Sequence, residues 1–164
     1  MNLNIKIFLL CPIPEDQKPI NEYLNLKQNN FTNFLLLSPK KYLSKLLINF
    51  IVFFIISTPI SLLFNVKNDI FLFNSFFSLN CLLSIFLINF IRWSQLLQRF
   101  KTSRLFYEEG SWYDGQYWEK PLEIIKNDKL IAIYKIEPIV QRVIKTLILL
   151  FVLILFIYFN FMIA

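Results

Sequence analysis

The chain has 164 residues, 56% hydrophobic and 18% aromatic, with 19 Phe and only 2 Gly. Soluble globular domains rarely carry so much apolar surface. Two cysteines exclude a disulfide scaffold, and the lack of histidine excludes His-based triads and His-rich metal sites. The formal charge of +6 sits largely beside the apolar segments, so it reads as membrane orientation rather than nucleic-acid binding. Abundant Phe, Ile, Asn, Lys and Leu point to an AT-rich coding genome, such as that of an organelle.

Residues 1–41 read as a polar arm. Its first apolar run, Ile5 to Leu10, is too short for a signal peptide and leads into Cys11-Pro12-Ile13-Pro14. Those prolines bias the preceding residues toward extended backbone. Pro19 opens a short helix through Leu26. An Asn-rich linker follows, and Phe31, Phe34, Leu35, Leu36 and Leu37 are expected to graze a bilayer.

Residues 42–66 form the first predicted membrane span. Leu46 to Val66 is uncharged for 21 residues, about 30 Å of helix, one hydrocarbon thickness. Pro59 is expected to kink it, with Ser57, Thr58 and Ser61 satisfying the freed carbonyls. After the polar turn Lys67-Asn68-Asp69, residues 70–91 form a second span. Its Asn74, Ser78, Cys81 and Asn89 fall within about 80° of arc, the way small and hydrogen-bonding residues mark helix contacts in lipid. Cys81 is therefore a packing residue. Arg92-Trp93 marks the boundary. Beyond it, Trp93, Leu96, Leu97 and Phe100 oppose Arg99, Lys101 and Arg104, the pattern of an interfacial helix lying on the surface.

Phe106 to Pro121 holds two of the three Trp, three Tyr and both Gly. Asp114-Gly115 between aromatic runs predicts a hairpin with a two-residue turn of positive φ. That turn would set Tyr113 opposite Gln116, Trp112 opposite Tyr117 and Ser111 opposite Trp118. Pro121 opens a helical turn. Leu130 to Ile136, rich in Ile and Tyr, reads as a third strand completing a small sheet. Residues 92–142 thus form an interfacial helix and a small β knuckle, and residues 143–164 form the third span.

Sixteen of the 17 Lys and Arg fall in the arm through Lys45 or in the segment from Arg92 to Lys145. By the positive-inside rule, the arm and the knuckle share one face, cytoplasmic or stromal. The fold class expected is an α-helical integral membrane protein with three transmembrane helices and a small three-stranded sheet on that face.

The arm motif Cys11-Pro12-Ile13-Pro14 with Gln17, Pro19, Glu22 and Tyr23 resembles the start of a plastid family, the hypothetical chloroplast reading frame number thirty-six. The central string is similar to that family's core motif: Tyr107-Glu108-Glu109, Trp112-Tyr113-Asp114-Gly115-Gln116, Trp118, Lys120-Pro121 and Asp128. Tyr134, Pro138-Ile139 and Arg142 resemble its C-terminal block. The family pattern places Ser before Gly, where this chain has Gly110-Ser111. The resemblance implies a multi-pass plastid protein of the thylakoid membrane, and it carries over no catalytic residue or cofactor.

Glu108, Glu109, Asp114 and Glu119 make an acidic cluster suited to acid–base work or a hard cation, or simply to a solvated surface. Cys11 is a thiol for haem or redox chemistry, or a packing residue of an arm that docks on the knuckle. No span interior carries an ionisable group, which argues against a proton relay or ion pump. The reading is a non-enzymatic membrane protein presenting Tyr107, Trp112, Tyr113, Tyr117 and Trp118 to a photosynthetic complex or its assembly machinery. The rival is a membrane-surface enzyme or a handler of pigment, haem or metal. No metal, cofactor or nucleic acid is assigned.

Overall fold

The structure is a computed structural model that describes residues 11–63, 70–108 and 115–163. After a single 3₁₀ turn at Glu15–Gln17, the elements in chain order are α1 (Pro19–Gln28), α2 (Asn30–Asn33), α3 (Pro39–Leu63), α4 (Ile70–Lys101), β1 (Arg104–Glu108), β2 (Gly115–Glu119), α5 (Leu122–Ile131) and α6 (Glu137–Ile163). Helices α3, α4 and the run from α5 into α6 are long and apolar enough to cross a membrane.

Helix α4 is the axis, packing against α1, α3, α5 and α6. Its buried residues recur with heptad spacing. Ser75, Leu82, Asn89 and Leu96 form one row, and Leu79, Phe86, Trp93 and Phe100 form the other. That repeat keeps a seam facing its neighbours over the whole helix. Small Asn74, Ser75 and Ser78 line the end near residue 70, where backbones approach closely. Large rings fill the end near residue 100. The polar sector expected on this helix is observed: Asn74, Ser78 and Asn89 are buried and Cys81 is half-buried.

The same seam corrects the expectation of a surface-lying extension beyond Arg92. Residues 92–101 continue α4 without a break, and Trp93, Leu96 and Phe100 face protein. Trp93 is fully buried, its ring set edge-on against Tyr23 of α1 at 6.2 Å. At 1.5 Å per residue the 32 residues of α4 are about 48 Å long, well beyond a hydrocarbon core.

Helix α3 contains Pro59, which has no N–H for the Ile55 carbonyl. The Thr58 hydroxyl donates to that carbonyl at 2.8 Å, as expected from the sequence. Ser57 donates to Phe54 O and Ser61 to Thr58 O. In the arm, Pro19 does open a helix. Phe34 and Leu35, expected at the bilayer, are instead buried, with Phe34 stacked on Tyr42 of α3 and edge-on to Phe86 of α4.

The third strand does not form. Leu130 to Ile136 is helical, running from α5 through a π turn (Ala132–Ile136) into α6. Ile and Tyr favour strands only weakly, and packing overrides them. Ala132, Ile136, Ile139, Val140 and Val143 are buried at helical spacing against the core. The π turn has a cause: Pro138 removes one helical N–H and crowds the carbonyl four residues back. The Glu137 N–H reaches Ala132 O in a widened turn.

The sheet is a two-stranded hairpin, with Arg104 opposite Glu119, Leu105 opposite Trp118, Phe106 opposite Tyr117, Tyr107 opposite Gln116 and Glu108 opposite Gly115. The expected register with Ser111 to Tyr113 as the first strand is therefore wrong. Gly115 is a strand residue, not a turn residue, and its role is close approach. A Cβ there would lie 2.3 Å from the Phe106 ring, which crosses over it.

Replacing Trp93 by Ala is expected to destabilise the protein by about 3–5 kcal/mol, whereas Tyr134→Ala on the exposed face of the π turn should shift stability by less than about 0.5 kcal/mol. Denaturation in mild detergent followed by circular dichroism checks both. Equal effects would contradict a continuous seam.

Candidate interaction face and its cavity

The arm and the hairpin meet, and three polar clamps hold them. The first is Gln17, whose side-chain amide pairs with the backbone of Glu108 on both sides. Its Nε2 donates to Glu108 O at 2.9 Å, and its Oε1 accepts from Glu108 N at 3.0 Å. One side chain thus acts as a short extra strand on β1.

The second clamp is Arg99 near the end of α4. Its guanidinium donates to Glu22 at 2.7 Å and to the Gln17 carbonyl at 2.7 Å, tying both ends of the Gln17–Glu22 segment to the axis helix. The third is Lys120, directly after β2. Its ammonium reaches Asp128 of α5 at 2.6 Å and the Arg99 carbonyl at 2.9 Å. The Lys120 side chain is 1% exposed and that of Asp128 17%. Carbonyls in the last helical turn lack intrahelical partners and carry negative partial charge, so a buried cation suits this position.

A further brace lies toward the apolar spans. Arg142 of α6 donates to Leu35 O at 2.9 Å and Leu37 O at 2.8 Å, and lies 5.6 Å from the Tyr42 ring centroid. It ends the linker and fixes α3 beside α6.

Beneath the hairpin, Ile13, Leu105 and Tyr107 form a small core of their own, with Cys11 and Trp118 packed against it. The Tyr107 hydroxyl donates to Gln116 Oε1 at 2.9 Å. Cys11 packs where the arm docks. Cys11, Ile13, Leu105 and Trp118 also wall a cavity of about 300 Å³ between arm, hairpin and α5. Its apolar wall includes Ile13, Ile20, Leu105, Trp118, Ile124 and Ile131. Cys11, Lys18, Lys120, Glu123 and Asp128 supply its polar atoms. The volume is at the lower end for a small-molecule site.

The residues singled out in the sequence divide by side. Tyr107 and Lys120 are buried and Trp118 half-buried, so these do not belong to an outer surface. Gln116, Tyr117 and Glu108 are exposed. In the arm, Pro19 and Tyr23 are buried, Cys11, Pro14 and Glu22 half-buried, and Pro12 exposed. Glu109, Trp112, Tyr113 and Asp114 lie outside the described residues. The acidic cluster is not assembled among those described. Glu108 and Glu119 sit at opposite ends of the hairpin, about 13 Å apart along the strands, and Glu119 pairs with Arg104 at 2.8 Å. No three carboxylate or thiol side chains come together as metal ligands among the described residues.

Sequence reasoning missed the roles of Arg99 and Asp128 as partners across elements. Nothing local marks them, because each bond joins residues far apart or of ordinary surface type. Of the two outward rings, Tyr117 is read from the sequence and Phe106 is not. Phe106 and Tyr117 pair across the strands at 5.4 Å on the face away from the cavity, 49% and 73% exposed.

Charge also leaves a signature at the arm. The Lys18 ammonium, 2.5 Å from Glu15, holds that carboxyl below its usual range, with help from the Asn21 amide. A lowered folded-state pKa stabilises fully above the ordinary carboxylate value and is lost as pH falls through the lowered one. The arm contact is thus expected to loosen on acidification below that range, and Glu15→Gln should remove that portion of the pH dependence in exchange measurements at residues 15–21. Breaking the buried pair by Lys120→Met should destabilise by about 3–5 kcal/mol, because Asp128 is left charged and unpaired. The double variant Lys120→Met/Asp128→Leu should recover much of the loss in the same unfolding assay.

The comparisons with known proteins bear directly on these motifs. Residues 11–149 match the family described as CGLD27-like, conserved in the green lineage and diatoms. The "Uncharacterized protein ycf36" of Porphyra purpurea is 35% identical, covering 84% of this chain and 86% of its own. That of Cyanophora paradoxa is 32% identical, covering 84% and 89%. The chloroplastic Arabidopsis thaliana protein Conserved in the Green Lineage and Diatoms 27 is 30% identical over 83% of this chain and 43% of its own. No solved structure matches. The matched span takes in Gln17, Glu22, Arg99, Lys120, Asp128 and Arg142, every clamp and brace described above, and the chain belongs to the CGLD27-like family that includes these plastid relatives.

Proposed function

We propose that this chain is a non-enzymatic accessory or assembly factor of a photosynthetic complex, anchored in the thylakoid membrane by α3, α4 and α6. The arm and residues 92–142 would face the stroma. The observation that carries the reading is the exposed Phe106–Tyr117 ring pair on a hairpin that three clamps hold rigid. Aromatic side chains pre-ordered on a rigid element lose little entropy on docking and dominate interface energetics. The chloroplastic name of the Arabidopsis relative and the three apolar helices support a plastid membrane setting.

A second reading is favoured by the cavity. An apolar volume of about 300 Å³ with Lys18, Lys120 and Cys11 at its polar edge suits a small amphiphilic molecule, pigment or haem precursor included. In that case the hairpin is the wall of a binding site rather than a docking surface.

The two are separated by one pair of variants. Phe106→Ser/Tyr117→Ser should leave the fold intact but abolish co-migration with a larger complex on native gels. Ile124→Trp, which fills the cavity, should leave co-migration unchanged. The reverse pattern, with a chromophore or small molecule lost from Ile124→Trp on mass spectrometry, would establish the second reading in place of the first.

A further inference from the structure

Carboxylates and cations are layered in this protein. No Asp or Glu occurs from Tyr23 to Asn68, from Ile70 to Tyr107, or from Pro138 to Ala164. The cations of the ion pairs among the described residues are Lys18, Arg99, Lys101, Arg104 and Lys120, all on the arm, at the end of α4 or on the hairpin. A second set lies where the uncharged spans begin or end. Lys40, Lys41 and Lys45 stand on the first turns of α3, Arg92 on α4 and Lys145 on α6. All five are exposed, and none is in an ion pair among the described residues.

Contacts place this second set within one band. Arg142, one turn before Lys145, lies over the Tyr42 ring between Lys41 and Lys45. Tyr42 stacks on Phe34, and Phe31 of the same linker lies 5.9 Å from the Arg92 guanidinium. Phe86 touches both Tyr42 and Phe34, which puts Arg92 about 9 Å further along α4. The cations therefore ring the three helices in a band about two turns deep, and their long stems can reach up or down within it.

We propose that this collar of unpaired cations recruits anionic lipid headgroups, so that the protein carries a shell enriched in lipids bearing a phosphate or sulfate charge. The inference rests on the membrane reading of α3, α4 and α6. Charge complementarity supports it: five exposed cations, none in an ion pair among the described residues, stand where apolar helices begin or end, the layer where headgroups lie. Lys18, Arg99, Lys101, Arg104 and Lys120, further out, already pair with carboxylates.

The test uses the full chain reconstituted in phosphatidylcholine vesicles containing a minor share of phosphatidylglycerol. Spin-labelled phosphatidylglycerol and phosphatidylcholine report the motionally restricted shell. The anionic label should be preferred by about fivefold, the effect of a single basic residue at such a surface, and the preference should fall as salt is added. Lys40→Gln/Lys41→Gln/Lys45→Gln should weaken it, and adding Arg92→Gln/Lys145→Gln should abolish it. Lys126→Gln/Lys129→Gln/Lys135→Gln, which removes the same charge from α5 and the π turn, should keep it. No preference in the unaltered chain, or equal loss in both triple variants, would overturn the collar. A chain released from the vesicles by alkaline wash would remove the membrane reading and the collar together.

Discussion

The seam along α4 is the constraint from which the rest follows. Its heptad rows do not stop where the apolar span stops. Phe86 belongs to the span, Trp93 and Phe100 to the segment beyond it, and all three are buried in one continuous core. In the membrane setting proposed for α3, α4 and α6 there is little hydrophobic gain in bringing helices together, so small and polar residues set the contact there. Beyond Arg92, burial of rings from water supplies the driving force. One helix thus combines two packing regimes, and the stronger holds the weaker in register.

Everything outside the spans is attached to the last turns of that helix. Arg99 takes Glu22 and the Gln17 carbonyl, its own carbonyl takes Lys120, and Lys120 takes Asp128. Arm, hairpin and α5 therefore converge on a single point as well as on one another. A two-stranded hairpin is marginal by itself. Here it is completed by the Gln17 amide on one edge and by Ile13 underneath, which does for it what a third strand does elsewhere.

How much of this was legible depended on periodicity. The three spans, the role of Thr58 beside Pro59 and the polar face of α4 follow from runs and repeats that a sequence displays openly. The helix from Leu130 to Ile136 did not, because a short run of Ile and Tyr has no period that separates strand from helix. The helical spacing appears only when Ile139, Val140 and Val143 are read with it, across a proline that seemed a boundary. The hairpin register failed for a related reason. Asp114-Gly115 is a turn signal, but Gly115 answers to the Phe106 ring above it. The clamps at Gln17, Arg99 and Lys120 join residues up to 91 positions apart, and no local pattern encodes such a partner.

The seam also has an order in time. Trp93, Leu96 and Phe100 are covered on one side by α1, which precedes them, and on the other by Ala132, Ile136 and Ile139, which follow. A growing chain that has reached the hairpin therefore holds three large apolar side chains with half their cover still unmade. The core beyond Arg92 closes only when the last helix has been made and laid beside the axis helix. Until then that half-finished face is the stickiest surface the polypeptide owns, and the one most open to non-native association.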